Sequence, residues 1–296
     1  MIQESVMNFK KLKLTIALLA TLSMQTIVDA KGLVLGLIPA ENNEEMIQKF
    51  EPMRQYLEQK IGEPIKVFTA TDYAGVIESM KKGRVDIAWF GPLTYILAER
   101  EANAEAFAVG VHSDTGLSTY RSIFVVPEDS NAQSIQDLKG KSVAFVDPAS
   151  ASGGLIPAYM VKQATGMMPK EFFGQFTYAG SHDAAEMAVK NKSVDAAADN
   201  DITYDKMLKK GLITKQSNRI LLKSDPLPGA PLTYRKDLPE NMKRKIREAI
   251  LNAHKEMEEV TGYGELSEYV ATTPAEYQKI RDLASELGLI REQILK

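Results

Sequence analysis

The 296-residue chain contains no cysteine. That excludes disulfides, Cys-ligated zinc, iron–sulfur clusters and thiol catalysis, and it removes the residue a lipid anchor would modify. Histidine is scarce: His112, His182 and His254 lie far apart, and no His-x-x-x-His metal spacing occurs. Neither a metal nor a cofactor is expected. Basic residues are not in excess, with 36 Lys and Arg against 39 Asp and Glu, so nucleic acid is not an expected partner. Long apolar runs are missing too. The best candidate, 14–22, is interrupted by Thr15 and Thr21 and falls short of the roughly 20 residues a membrane span needs.

What is present begins at that same segment. Lys10, Lys11 and Lys13 precede the apolar run, and Val28-Asp29-Ala30 follows it. A basic region, a short apolar stretch and a small-residue cleavage site are the layout of a secretory signal peptide over residues 1–30. Met7 is an alternative start, and the mature chain is expected to begin at Lys31. No membrane insertion is expected after cleavage, which places the product in the periplasm.

From Leu33 onward, short apolar runs alternate with amphipathic stretches. Strands are predicted over 33–38, 65–69 and 85–90, with helices over 43–61, over 73–82 and from Pro92. A second series follows, with strands at 121–126, 143–146, 176–178 and 194–198 and helices from Gly153, at 184–190 and at 203–209. The end is helical, at 239–258 and 274–287. Repeated β-α-β units point to mostly parallel sheets with helices on both faces. Two such series suggest two lobes with a cleft between them. The crossovers are expected near 118–120 and 224–228, so that 31–119 and 225–296 form one lobe and 120–224 is inserted as the other.

In open α/β sheets, ligands sit beyond the carboxyl ends of strands, where helix N-termini present unpaired N–H groups. Five junctions of that kind stand out. Thr71-Asp72-Tyr73 places a tyrosine at a helix start. Trp89-Phe90-Gly91-Pro92-Leu93-Thr94-Tyr95 joins a strand to a proline-opened helix. Asp147-Pro148-Ala149-Ser150-Ala151-Ser152-Gly153-Gly154 combines two hydroxyls with a glycine pair. Gly180-Ser181-His182-Asp183 and Asp199-Asn200-Asp201 complete the set. Taken singly, Ser, Gly and Asp at such places are commonly simple caps, and Tyr73 and Tyr120 fit plain packing. An enzyme reading has less support. Ser150 and Ser152 lie in no Gly-x-Ser-x-Gly elbow and start no Ser-x-x-Lys pair, although a Ser–His pairing with His182 across the fold stays open.

At these residues the chain resembles the periplasmic phosphonate- and phosphite-binding proteins of ABC importers. The resemblance runs through Asp72-Tyr73-Ala74-Gly75-Val76-Ile77, Val85-Asp86-Ile87-Ala88-Trp89-Phe90-Gly91-Pro92-Leu93, Tyr120-Arg121-Ser122, 147–153, Gly180-Ser181-His182-Asp183 and Leu227-Pro228-Gly229. It implies an α/β, two-lobed type II periplasmic binding protein of the Venus-flytrap kind, with mixed, mostly parallel sheets and a hinge of two crossovers. It also implies a non-enzymatic, monomeric receptor that delivers a small oxyanion to permease subunits. Tyr73, Thr94, Tyr95, Tyr120, Ser150, Ala151, Ser152, Gly153, His182 and Asp201 form the expected ligand set. His182 would donate a hydrogen bond, and the two tyrosines would close the cleft from opposite sides.

Departures from the family pattern bear on the ligand. The Ser-Thr-Ser run of the family is Ser150-Ala151-Ser152 here. Family members that take aminoalkylphosphonates hold the ammonium with two carboxylates, and those positions are Ile202 and Ala230 in this chain. An unpaired buried ammonium is costly, so phosphite or methylphosphonate is the expected ligand, with aminoalkylphosphonate or phosphate as the alternative. Asp201 is expected either to accept a proton-bearing oxygen of the ligand or to cap a helix.

Overall fold

The computed structural model describes residues 32–288. The signal peptide expected over 1–30 lies outside the described residues. In chain order, β1 (Leu33–Leu37), α1 (Asn43–Ile61), β2 (Ile65–Thr69), α2 (Tyr73–Lys81), β3 (Ile87–Trp89), α3 (Pro92–Ala102) and β4 (Ala104–His112) come first. A short strand, β5 (Thr119–Tyr120), leads to β6 (Ser122–Pro127) and β7 (Ser142–Phe145). A π turn over Ala151–Leu155 then runs into α4 (Ile156–Thr165). Next are α5 (Pro169–Phe172), β8 (Gln175–Tyr178), α6 (His182–Lys190), β9 (Ala196–Asn200), α7 (Asp201–Lys209) and β10 (Asn218–Lys223). The chain returns through β11 (Leu227–Pro228) to β12 (Pro231–Arg235), α8 (Glu240–Glu256), β13 (Leu266–Ala271) and α9 (Gln278–Glu286).

These strands form two large sheets. One has the order β13-β4-β12-β3-β1-β2 and the other β10-β6-β9-β7-β8. The segments 119–120 and 227–228 pair with each other as a two-stranded ribbon, Leu227 opposite Tyr120. Both sheets are mixed. Parallel pairing is confined to β1 with β2 and β3 and to β7 with β8 and β9. The expected predominance of parallel pairs needs correction, because β4, β10, β12 and β13 all pair antiparallel. Sequence patterning passed over these four strands. β4 reads Ala-Glu-Ala-Phe-Ala-Val-Gly-Val-His, rich in small residues of low strand propensity. β12 and β13 meet partners more than a hundred residues away, so sheet pairing and not local preference decides them.

Local chemistry fixes the helix starts. Asn42 caps α1 by accepting from the Glu44 and Glu45 N–H groups, and Gly62 ends the helix at φ 80°. Met46, Phe50, Met53, Leu57 and Ile61 recur at helical spacing and form its buried stripe. Asp72 caps α2 by accepting from Gly75 N at 2.8 Å. Ser181 caps α6, and Asn200 caps α7 by accepting from Thr203 N at 2.9 Å. Each cap follows a strand directly, so three helices begin at the carboxyl edges of the sheets.

The π turn is held differently. Leu155 N donates to Ser150 O at 3.0 Å, and Ser150 Oγ accepts from Gly153 N at 3.0 Å. A Cβ on Gly153 would stand 2.4 Å from the Val146 side chain, and one on Gly154 would stand 2.4 Å from the Asp147 carbonyl oxygen. Only glycine lets the turn lie this close to the end of β7. Gly154→Ala meets main chain that cannot swing aside, so it is expected to cost about 1–3 kcal/mol. Urea unfolding measures this, and wild-type stability in the variant would refute the close approach.

Candidate functional site

A small cavity lies where the carboxyl ends of the two sheets meet. Ile38 and Ala40 follow β1, Trp89 ends β3, Ser150 follows β7, His182 opens α6 and Asn200 ends β9, and all of them line it. The cavity offers about 40 Å³ to the centre of a water-sized sphere. One water needs about 10–15 Å³ on that measure, so only a handful of heavy atoms fit. Among the described residues, no Lys, Arg, Asp or Glu lines the wall. Charge on a bound group must therefore be met by dipoles, hydroxyls or the imidazole.

The donors are placed by the junctions. Ser150 and Ser152 are 3% and 1% exposed and flank Ala151 at the start of the π turn. Ser122 Oγ donates to Ser152 O at 2.6 Å, which pins the turn to β6. Tyr73 comes from the start of α2 and is 1% exposed, yet among the described residues its hydroxyl makes no well-aligned hydrogen bond, with the Ser150 side chain standing beside it. Burial raises that phenol well above 10, with the Asp147 charge adding to the effect, so it is a donor at any ordinary pH. Tyr120 stands on the ribbon strand β5, and its phenol is also raised by burial.

His182 is nearly fully buried, and Nδ1 lies 2.5 Å from Asp199 Oδ1 on β9. Burial lowers the imidazole pKa to about 4, against the pull of Glu41 and other nearby carboxylates. The wall away from the serines is mostly apolar, formed by Trp89, Ile202, Ala230, Leu266 and Tyr269. Trp89 stacks on Tyr263 with ring centroids 4.9 Å apart. His112, at the end of β4, faces both this cavity and a neighbouring polar one of about 220 Å³.

Several contacts draw the two sheets together around the cavity. Tyr263 OH accepts from Asn200 Nδ2 at 3.1 Å and also bonds the Thr203 hydroxyl. His182 N donates to Ala40 O at 2.9 Å. Lys206 of α7 reaches Glu41 at 2.6 Å, and Lys49 of α1 reaches the same carboxylate at 3.1 Å. Glu41 is 1% exposed. Burial alone would raise its pKa, but the two ammonium groups hold it below the usual 4.5.

Of the residues expected from sequence, Tyr73, Tyr120, Ser150, Ala151, Ser152 and His182 meet in the cavity wall. The other four stand elsewhere. Thr94 Oγ1 donates to Ala149 O at 2.9 Å, bracing the Ser150 junction from α3. Tyr95 points away, packing on Tyr277 and donating to Glu99 at 2.9 Å. Gly153 serves close packing against Val146. Asp201 accepts from Arg121 N at 2.9 Å and lines the neighbouring cavity, while Asn200 is the residue that caps α7. Sequence reading did not single out His112, Tyr263, Leu266 or Tyr269. They belong to β4, β13 and the segment before it, which carry no strand-to-helix junction.

A family described as the periplasmic substrate-binding protein of phosphonate ABC transporters matches residues 35–277. The chain belongs to this family. It is 35% identical to the phosphonates-binding periplasmic protein of Escherichia coli K12, over 77% of this chain and 68% of that one. It is 32% identical to a phosphate-import protein of Mycolicibacterium smegmatis, over 67% and 64%. The crystal structure of a binding-protein component of a phosphonate ABC transporter from Pseudomonas aeruginosa matches with a TM-score of 0.76 at 28% identity. That match covers 85% of this chain and 84% of the other. The protein is thus a two-lobed, substrate-binding transporter component and not an enzyme. Among its described residues no helix is long and apolar enough to cross a membrane.

The Glu41 pair gives a pH dependence with a definite sign. A carboxylate whose pKa is depressed by folding adds stability above its unfolded value and loses it as pH falls. Wild type is expected to be more stable than Glu41→Gln near neutral pH, with the gap closing as pH drops below 4.5. Thermal unfolding of both proteins across that range checks it, and a gap independent of pH would contradict the assignment.

Proposed function

We propose that this protein captures phosphite or methylphosphonate in the periplasm and delivers it to the permease subunits of an ABC importer. The observation that carries the reading is the Tyr73 hydroxyl, a buried donor that forms no well-aligned hydrogen bond although the Ser150 hydroxyl stands beside it, in the wall of a small cavity with no formally charged side chain among the described residues. An unpaired buried hydroxyl is costly, and natural proteins keep few of them without a use. A tetrahedral oxyanion would accept from it.

The remaining oxygens would accept from the Ser150 and Ser152 hydroxyls, the free N–H groups at the π turn, Tyr120 and His182. A main-chain N–H replaces the hydroxyl that Ala151 lacks. Ile202 and Ala230 would face the fourth substituent on phosphorus, and an apolar surface suits P–H or P–CH3. The extra hydroxyl of phosphate would be buried unpaired there, which disfavours it. We assign residues 31–119 and 225–296 to one lobe and 120–224 to the other, and the β5–β11 ribbon to the hinge. The contacts of Tyr263, Lys206 and His182 would then hold the lobes closed over a monomer's single ligand.

One observation favours a second reading. The neighbouring cavity shares His112 and Ile202 with the first and carries Asp114, Asp201, Asp205 and Glu265 together with Lys49, Lys206 and Lys209. An aminoalkyl arm passing Ile202 would find carboxylates there.

Calorimetry against phosphite, methylphosphonate, 2-aminoethylphosphonate, phosphate and sulfate separates these readings. Phosphite or methylphosphonate is expected to bind tightest, and preference for 2-aminoethylphosphonate would transfer the assignment to the second reading. Tyr73→Phe is expected to weaken binding about 10- to 100-fold, as for a hydrogen bond to a charged group, without lowering the melting temperature of the free protein. Unchanged affinity would remove Tyr73 from the site.

A further inference from the structure

Behind the cavity wall, His182, Asp199 and Glu186 form a buried line. His182 and Glu186 are four residues apart on one face of α6, and Asp199 meets them from β9. Asp199 and Glu186 are both fully buried. Asn218 of β10 donates to Glu186 Oε2 at 2.7 Å. Among the described residues the other oxygens of the two acids, Asp199 Oδ2 and Glu186 Oε1, have no donor, and the two carboxyl groups lie against each other. Two buried carboxyl groups in contact do not both ionise, and one shared proton satisfies both orphaned oxygens.

The direction of that sharing follows from the surroundings. Burial raises both acids, and the hydrogen bond between them raises Glu186 further while lowering Asp199. Glu186 is therefore the better holder of the shared proton, and Asp199, whose Oδ1 lies 2.5 Å from His182 Nδ1, is the member placed to accept from the ring. That leaves Nε2 as the ring nitrogen available to the cavity the ring lines. The ring is otherwise faced by Glu41 after β1, Asp147 after β7, Asp183 and Glu186 on α6, and the Tyr73 phenol from α2. Glu41 is tied to Lys49 and Lys206. Glu41, Asp147 and Asp183 favour the charged imidazole, Glu186 does so only when ionised, and burial opposes them.

This inference rests on the oxyanion reading of the cavity. We propose that Glu186 and Asp199 are positioning residues that let His182 take up one proton on Nε2 when an oxyanion dianion binds. The protonated ring then donates to a ligand oxygen, and Asp199 balances its charge within the buried line. A dianion draws the proton from solvent, so binding consumes one. A monoanion brings the proton itself, transfers it to Nε2, and binding consumes none.

Calorimetry of phosphite and methylphosphonate in buffers of different ionisation enthalpy counts the protons. Above the ligand's second ionisation the wild type is expected to take up about one proton per ligand, falling toward zero below it. Asp199→Asn is expected to lower affinity roughly 10- to 100-fold and to abolish the uptake. Glu186→Leu is expected to reduce the uptake, and Glu186→Gln, which keeps a donor toward Asp199 and an acceptor for Asn218, to restore it. Binding with no uptake in the wild type, or full uptake in Asp199→Asn, would overturn the proposal. If no oxyanion binds, the functional reading fails separately. The ring-nitrogen NMR signals of ligand-free His182 then decide the relay: a hydrogen on Nδ1 upholds it, and one on Nε2 alone overturns it.

Discussion

The turn from β7 into α4 governs the site, and it depends on a contact that only glycine permits. Gly153 and Gly154 let residues 151–155 lie against Val146 and Asp147. That packing sets Ser150 and Ser152 side by side at the cavity and widens the first helical turn to a π turn. A wider first turn leaves one more main-chain N–H without an intrahelical partner than an α turn does. The neighbours are arranged around this element. Ser122 ties the turn to β6, Thr94 braces Ala149 from α3, and Val146 N closes the loop by donating to Gly153 O.

Buried charge is handled in two ways within a short distance. At Glu41 the carboxylate stays ionised because Lys49 and Lys206 reach it from two helices, so its pKa falls despite burial. At Asp199 and Glu186 no ammonium among the described residues arrives, and burial pushes both acids up. The first arrangement joins segments of the two sheets by paired charge. The second keeps net charge low behind His182, which a low-dielectric interior requires unless a counter-charge is supplied. Among the described residues the cavity wall itself carries no acid or ammonium group, so polarity there comes from hydroxyls, the imidazoles of His182 and His112, the Asn200 amide and main-chain dipoles.

The sequence was most legible where a strand passes directly into a capped helix. Asp72, Ser181 and Asn200 do their capping locally, and Tyr73 beside the first, His182 beside the second, Asn200 itself and Ser150 of the serine-bearing junction fall in the wall as the junction rule implies. Legibility declined where a residue's role depends on a partner distant in the chain. Thr94 and Tyr95 share a junction with Trp89, yet helical periodicity turns them toward Ala149 and Tyr277. Asp201 lies one residue past the cap and faces the neighbouring cavity. Tyr263 enters the site through a hydrogen bond to Asn200 sixty-three residues away, with no motif to announce it.

The sequence alone determined the β-α-β rhythm, the family, the serine-bearing junction and the apolar pair Ile202 and Ala230, because caps, periodicity and motifs act over a few residues. Tertiary structure decided the antiparallel strands, the Tyr263 and Lys206 closures, and the His182–Asp199–Glu186 line. Each of these sets groups from separate elements within hydrogen-bonding distance, and only packing determines which side chains share a buried space and which of them must share a proton.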